Sequence, residues 1–225
     1  MTRISRRRTA LAIALALCCA FPAQAQTHGS GAAWGVAWTK IPSIIVHWTA
    51  DDARVKLVRD AVEFWNQVFT QLGTPFRLGA VAYTAGALTV DQLKSFSEIA
   101  VNGGGGPALA ANIYQMPGDL IVALSDGNFI SFGVRWPSSQ KALVGIKDFG
   151  FYPFTLPNVP RNVIAHELGH AIRLRHNSDP TMLMCGRPAT CRPDLFASPT
   201  DRYFPLSAQE TATLRTMYPA DWQPR

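Results

Sequence analysis

Once its first 25 residues are set aside, this chain of 225 residues is poor in net charge, in cysteine and in long apolar runs. The leader holds four of the 21 basic residues and none of the 15 acidic ones, which leaves 17 against 15. No run of Lys and Arg remains, so nothing is there to attract a phosphate backbone, and no nucleic-acid partner is expected. Beyond the leader, no stretch approaches the ~18 uninterrupted apolar residues of a membrane span. Internal repeats are absent. The run Asn102 to Pro107 (NGGGGP) is not followed by Gly-Lys-Ser/Thr, which excludes a phosphate loop and leaves a flexible connection.

The leader itself makes the whole chain look basic. Arg3, Arg6, Arg7 and Arg8 precede an apolar core, TALAIALALCCAF, and Ala23-Gln24-Ala25 forms a small-x-small cleavage signal. That is the layout of a secretory signal peptide, too short in its apolar part to cross a bilayer comfortably. Lipidation at Cys18 is a rival reading, but Leu17 before it is bulkier than such sites usually tolerate. The expected division is a signal peptide over 1–25 and a single domain over 26–225, exported to the periplasm or beyond the cell and free of the membrane after cleavage. Cys18 and Cys19 leave with the leader. Cys185 and Cys191 remain, six apart in one loop, and in an oxidising compartment they read as one disulfide.

Strands and helices alternate along the rest. Ser43 to Trp48 (SIIVHW) is a β-branched run. Asp51 and Asp52 open a helix in which Val55, Val58, Val62, Trp65, Phe69 and Leu72 recur at steps of three and four, one buried stripe ended by Gly73 and Pro75. Phe76 to Tyr83 is a second strand candidate, and Val90 to Ile99 a short helix. Leu120 to Leu124 (LIVAL) is continuously apolar, as a strand covered on both faces should be. Ile130 to Trp136 and Ala142 to Ile146 can pair around Pro137 and the two serines. Pro160 suits the first turn of a helix carrying histidines, and Ser207-Ala208-Gln209-Glu210 is a capping box that opens a last helix to about Tyr218.

The chemistry concentrates in HELGHAIRLRHNSDPTMLMCG, residues 166 to 186, which holds three of the five histidines. His166 and His170 are four apart and project from one face of a helix, one turn apart, so two nitrogens can bind one zinc. Glu167 is rotated by about 100°, close enough to reach a water on the metal without binding the metal. Ile164, Leu168, Ala171 and Ile172 form a separate stripe for the core. A catalytic zinc needs three protein ligands and an open position, and His176 is the obvious third. Six residues beyond His170 on a straight helix means roughly 9 Å along the axis and 240° around it. The helix must therefore break between them. His28, near the N-terminus, and His47, on a strand, read as ordinary residues, and Met182 as packing.

HELGHAIRLRH resembles the metzincin pattern H-E-x-x-H-x-x-G-x-x-H at every fixed position but one, and Met184, eight residues after His176, sits where matrixin-type metzincins place the methionine of the Met-turn. HNSDPTMLM is similar to the matrixin version of that connection. The resemblance implies an α+β zincin fold: a twisted mixed five-stranded sheet, two long helices of which one carries the motif, and a C-terminal helix. It implies one catalytic zinc on His166, His170 and His176, with Glu167 as general base. A secreted, monomeric zinc endopeptidase follows, acting on a protein or peptide laid along an edge strand, with 130–136 or 142–146 as candidates. The loop tied by Cys185 and Cys191 would wall the pocket for the residue after the cut. Whether structural calcium or a second zinc is present stays open. So do two other classes, a non-catalytic secreted zinc-binding protein on the same fold and a zinc amidase acting on cell-wall peptides. About 17 residues between the cleavage site and the first strand leave no room for a propeptide.

Three departures from the family pattern carry expectations. Arg173 stands where the pattern has glycine, so a mildly strained backbone is expected there, with its side chain outward to solvent or toward an acid, and Arg173→Gly is expected to stabilise. Asn177 follows the third histidine in place of the serine usual in matrixins. Gly186 stands where some metzincins place an additional tyrosine ligand, which implies a site of three histidines and water.

Overall fold

A computed structural model describes residues 35–48, 51–86, 88–102, 111–136 and 140–225. The leader, His28 and most of the NGGGGP run lie outside the described residues. The elements are β1 (Ile44–His47), α1 (Ala53–Gln71), β2 (Val81–Thr84), α2 (Val90–Asn102), α3 (Ala111–Gln115), β3 (Leu120–Leu124), β4 (Phe132–Arg135), β5 (Ala142–Ile146), α4 (Val159–Ala171) and α5 (Ala208–Met217). They form one five-stranded sheet in the order β2-β1-β3-β5-β4. All neighbours run parallel except β4, which lies antiparallel on β5 at one edge. The mixed sheet agrees with the sequence reading.

Every residue of β3 and of β5 is buried, because the sheet has a core on each face. Leu120, Val122 and Leu124 point one way with Ala142, Val144 and Ile146, into the larger core that α1 and α4 fill. Ile121, Ala123 and Leu143 point the other way, against Leu93 and Phe96 of α2. Alternate side chains of a strand face opposite ways, so two covered faces demand an unbroken apolar run.

α1 follows its periodicity. Asp52 caps it, its carboxylate accepting from the Arg54 N–H at 2.8 Å. Val55, Val58, Val62, Trp65 and Phe69 are buried against the sheet and α4, each worth about 1.5–3 kcal/mol relative to exposure. The Trp65 indole donates to the Ala165 carbonyl of α4 at 2.9 Å, which fixes the crossing of the two helices. α5 opens on the expected capping box, Ser207 with Glu210.

Two strand expectations need correction. The strand placed at Phe76 to Tyr83 is only Val81–Thr84. Phe76 and Leu78 are buried, but the Asn66 side chain pairs with both main-chain groups of Leu78, donating at 3.1 Å and accepting at 2.8 Å. With those groups satisfied, the segment needs no strand neighbour. The second correction concerns 142–146, proposed as an edge. It is β5, enclosed between β3 and β4, so among the described residues the strand at this edge of the sheet is β4. α2 runs three residues past the expected Ile99, and α3 has no counterpart in the sequence reading.

Candidate metal centre

Helix α4 begins with Val159-Pro160 and ends as the spacing of its histidines requires. Its C-cap is Ile172, and Arg173 has φ 81°. The Arg173 N–H donates to the His170 carbonyl at 3.0 Å and the Leu174 N–H to the Gly169 carbonyl at 3.0 Å. These two bonds define a Schellman motif, in which the residue after the cap takes a left-handed conformation. The strained backbone expected at Arg173 is there.

Its side chain contradicts the outward expectation. Arg173 is 2 % exposed and donates to the carbonyls of Arg135 at 3.0 Å and Trp136 at 2.8 Å. It thus ties the helix terminus to the end of β4. The two terminal nitrogens of this buried guanidinium are met by main-chain oxygens rather than by an acid, while its Nε has no partner among the described residues.

The turn brings three imidazoles together. The ligand nitrogens of His166, His170 and His176 lie within 4.8 Å of one another, a group that could hold a metal ion. Each ring is oriented through its Nδ1 by a main-chain carbonyl: Leu183 for His166 at 2.7 Å, Leu174 for His170 at 2.9 Å, and Arg187 for His176 at 2.8 Å. A carbonyl only accepts, so each Nδ1 carries the proton and each Nε2 presents a bare lone pair. The Nε2 of His176 is 3.0 Å from that of His170 and 3.1 Å from that of His166. With no proton between them these contacts are lone pair against lone pair, which repel until a cation lies among them. Zinc–nitrogen bonds of about 2.0–2.1 Å at tetrahedral angles would set nitrogens roughly 3.3–3.4 Å apart, and the two separations that involve His176 come within a few tenths of an ångström of that.

Removal from water keeps the rings neutral. It pushes His166 down to about 3, with the neighbouring His176 adding to the effect. His170 is held well below its ordinary value by the same loss of water and by both other histidines, and His176 is lowered chiefly by burial. Neutral imidazole is the form that ligates.

Glu167 is 8 % exposed. Burial pushes its carboxyl up to about 8, against the opposing pull of a hydrogen bond from the Gly133 N–H of β4. Gly133 had drawn no attention in the sequence. A Cβ there would collide with the Glu167 carbonyl and come within 2.9 Å of the His170 Cβ, so the strand can lie on the helix only with glycine at this point. A glycine inside a strand is the available signal of such an approach.

Met184 is fully buried. Gly169 leaves space for it, since a Cβ at 169 would stand 2.5 Å from the Met184 Sδ. The chain returning from His176 is bridged to this segment by Asn177 N–H to the Met184 carbonyl at 2.9 Å and Gly186 N–H to the Asn177 carbonyl at 3.2 Å. The Asn177 amide donates to Glu210 Oε1 at 2.6 Å, and Glu210 Oε2 accepts the Ser207 N–H. The capping carboxylate of α5 therefore also anchors the residue after the third histidine, a link 33 residues long that the sequence did not reveal. Cys185 and Cys191 are disulfide-bonded, as expected, with Cα atoms 5.7 Å apart. His47 lies apart from the three, buried on β1 with the Pro117 carbonyl as a partner, and its Nε2 has none among the described residues.

No protein-family model and no curated protein sequence matches the chain. Among solved structures, archaemetzincin from Methanopyrus kandleri is similar, at 15% identity over 77% of this chain and 92% of that one, with a TM-score of 0.44. At that score the likeness says nothing about chemistry, which rests on the geometry of this chain's own site.

Proposed function

We propose that the protein is a zinc-dependent endopeptidase of the metzincin type, matrixin-like and exported, with His166, His170 and His176 as the ligands of one zinc ion. One observation carries the reading: three neutral imidazoles, each with its Nδ1 proton committed to a main-chain carbonyl, turn three bare lone pairs on one another. Zinc, when bound, supplies a Lewis acid that polarises a substrate carbonyl and makes water acidic enough to attack near neutral pH.

The chain's own groups supply the rest. Glu167 stands one residue from His166 with its carboxyl beside the Gly133 N–H. It takes the proton of the attacking water and hands it to the leaving amine as the peptide C–N bond breaks. A cation nearby favours the ionised carboxylate and so offsets the upward push of burial. The Gly133 N–H and the Arg135 carbonyl are directed away from β5, toward Glu167 and Arg173. This leaves the Gly133 carbonyl and the Arg135 N–H on the open edge of β4 for the main chain of an extended peptide. The disulfide Cys185–Cys191 suits an oxidising compartment, and among the described residues no helix is long and apolar enough to cross a membrane.

A non-catalytic zinc protein would leave Glu167 without a purpose, a buried carboxyl beside the metal ligands. The test is zinc analysis together with cleavage of a peptide library by wild type and Glu167→Gln. Wild type should hold one zinc per chain and cut peptides. The variant should hold the same zinc and be slower by ~10²–10⁴-fold. Equal turnover in the variant would remove Glu167 as the base, and cleavage confined to cell-wall peptides would favour an amidase.

A further inference from the structure

We infer that the Cys185–Cys191 loop is a positioning clamp for His176, so that metal affinity at the three-histidine group depends on that disulfide. The inference rests on the zinc reading above. Two of the three rings are held by structure that stands without the loop. His170 is oriented by Leu174 inside the Schellman turn, and His166 by Leu183, whose own N–H is tied to the Pro205 carbonyl at 2.8 Å. His176 differs. It lies beyond the helix, it is half-buried, and its Nδ1 partner is the Arg187 carbonyl, which sits inside the ring closed by Cys185 and Cys191. The main-chain hydrogen bond inside that ring is Ala189 N–H to the Gly186 carbonyl, 3.1 Å.

The second contact is with Gly186. A Cβ added there would overlap the His176 ring and come within 2.5 Å of its Nε2, the metal-facing nitrogen. The φ of Gly186 is not in the left-handed region, so its backbone conformation is open to alanine. Glycine is required there by the ring alone. The loop therefore sets the plane of His176 through Gly186 and its tautomer through Arg187. A ring of seven residues restricts the unfolded chain less than a long loop does, and within the fold its reach is local. Carbonyl partners that orient ligating histidines typically change metal affinity by ~10–100-fold.

The experiment titrates metal-free protein with cobalt(II), read by its visible spectrum, and measures zinc affinity by competition with a chromophoric chelator. Wild type, C185S/C191S, Gly186→Ala and His176→Ala are compared, and the melting of each metal-free protein reports its fold. Wild type should bind one cobalt. C185S/C191S and Gly186→Ala should bind ~10–100-fold more weakly, with a changed cobalt spectrum and metal-free melting that stays cooperative, lowered in C185S/C191S by the loss of the ring closure. If C185S/C191S does not fold, wild type reduced by a phosphine is measured in its place. Wild-type affinity and spectrum in the open-loop protein would overturn the clamp while leaving the zinc site intact. Failure of wild type to bind either metal would overturn the zinc reading and the clamp together.

Discussion

Replacing Arg173 with glycine would restore the residue of the metzincin pattern, and the structure reverses the outcome expected from sequence. The backbone contribution is small. Releasing a non-glycine residue from φ 81° regains about 1 kcal/mol, and the added freedom of glycine in the unfolded chain cancels about 0.4–1 kcal/mol of that. The side chain decides the sign. It is 2 % exposed and donates to two carbonyls at 3.0 and 2.8 Å, and bonds to a charged donor are worth about 1.5–3 kcal/mol each. Against them stands the cost of burying a guanidinium without an acid, which lowers the affinity of both Arg173 and Arg135 for their protons, with Arg173 adding to the effect at Arg135. Water entering the vacated space would also recover part of the loss. The net expectation is a destabilisation of about 2 kcal/mol. Urea unfolding of metal-free wild type, Arg173→Gly and Arg173→Ala separates the two contributions. The alanine variant loses the same side chain but keeps the strained backbone without glycine's added freedom in the unfolded chain, so it should lie no more than about 0.6 kcal/mol below the glycine variant. An Arg173→Gly protein as stable as wild type would show that the two carbonyl contacts contribute nothing net.

Gly133→Ala should push β4 off α4, lowering stability by about 1–3 kcal/mol and peptide turnover with it; an unchanged denaturation midpoint would refute the close approach. Asp52→Ala removes the cap of α1 and the bidentate partner of Arg54, whose other contacts are Asp126 and the carbonyls of Ser125 and Lys147. The expected loss is about 2–3 kcal/mol, read by thermal melting, and a loss near zero would mean that the remaining contacts suffice. For the metal-free protein, stability should peak near pH 6.5. His166 is lowered from 6.5 to about 3, so its contribution is present above 6.5 and is lost as pH falls through that window. Glu167 is raised from 4.5 to about 8, so its contribution is present below 4.5 and is lost as pH rises toward and through 8. Below 6.5 the three histidines outweigh the single carboxyl, and as their effect fades above it the carboxyl becomes the dominant group of the site. Stability still climbing from pH 7 to 9 would contradict the buried, unpaired state of Glu167.

What could be read directly from the sequence lies within single elements. The stripe of α1, the unbroken apolar run of β3, the capping box at Ser207 and the histidines at 166 and 170 are patterns set by helix and strand periods. The break after His170 follows from the same geometry, because no straight helix can return a residue six positions on to the same point. Arg173 shows where that reading stops. Its positive φ was predictable from the demand for a turn, whereas the direction of its side chain depended on where β4 ends, and β4 is distant in sequence.

The carbonyls that orient the three imidazoles come from Leu183, Leu174 and Arg187, and every residue carries a carbonyl. No residue type marks these partners in advance. The placement of β5 inside the sheet, the seating of Gly133 on Glu167 and the reach of Glu210 to Asn177 likewise arise when separate elements pack. By itself the sequence determined which residues could ligate a metal and where the helix must stop, because spacing along one element is a local property. Only the tertiary structure decided which nitrogen of each ring is free, which edge of the sheet is open and what holds Arg173. Those depend on main-chain groups meeting across the fold, and main-chain groups are chemically alike at nearly every position.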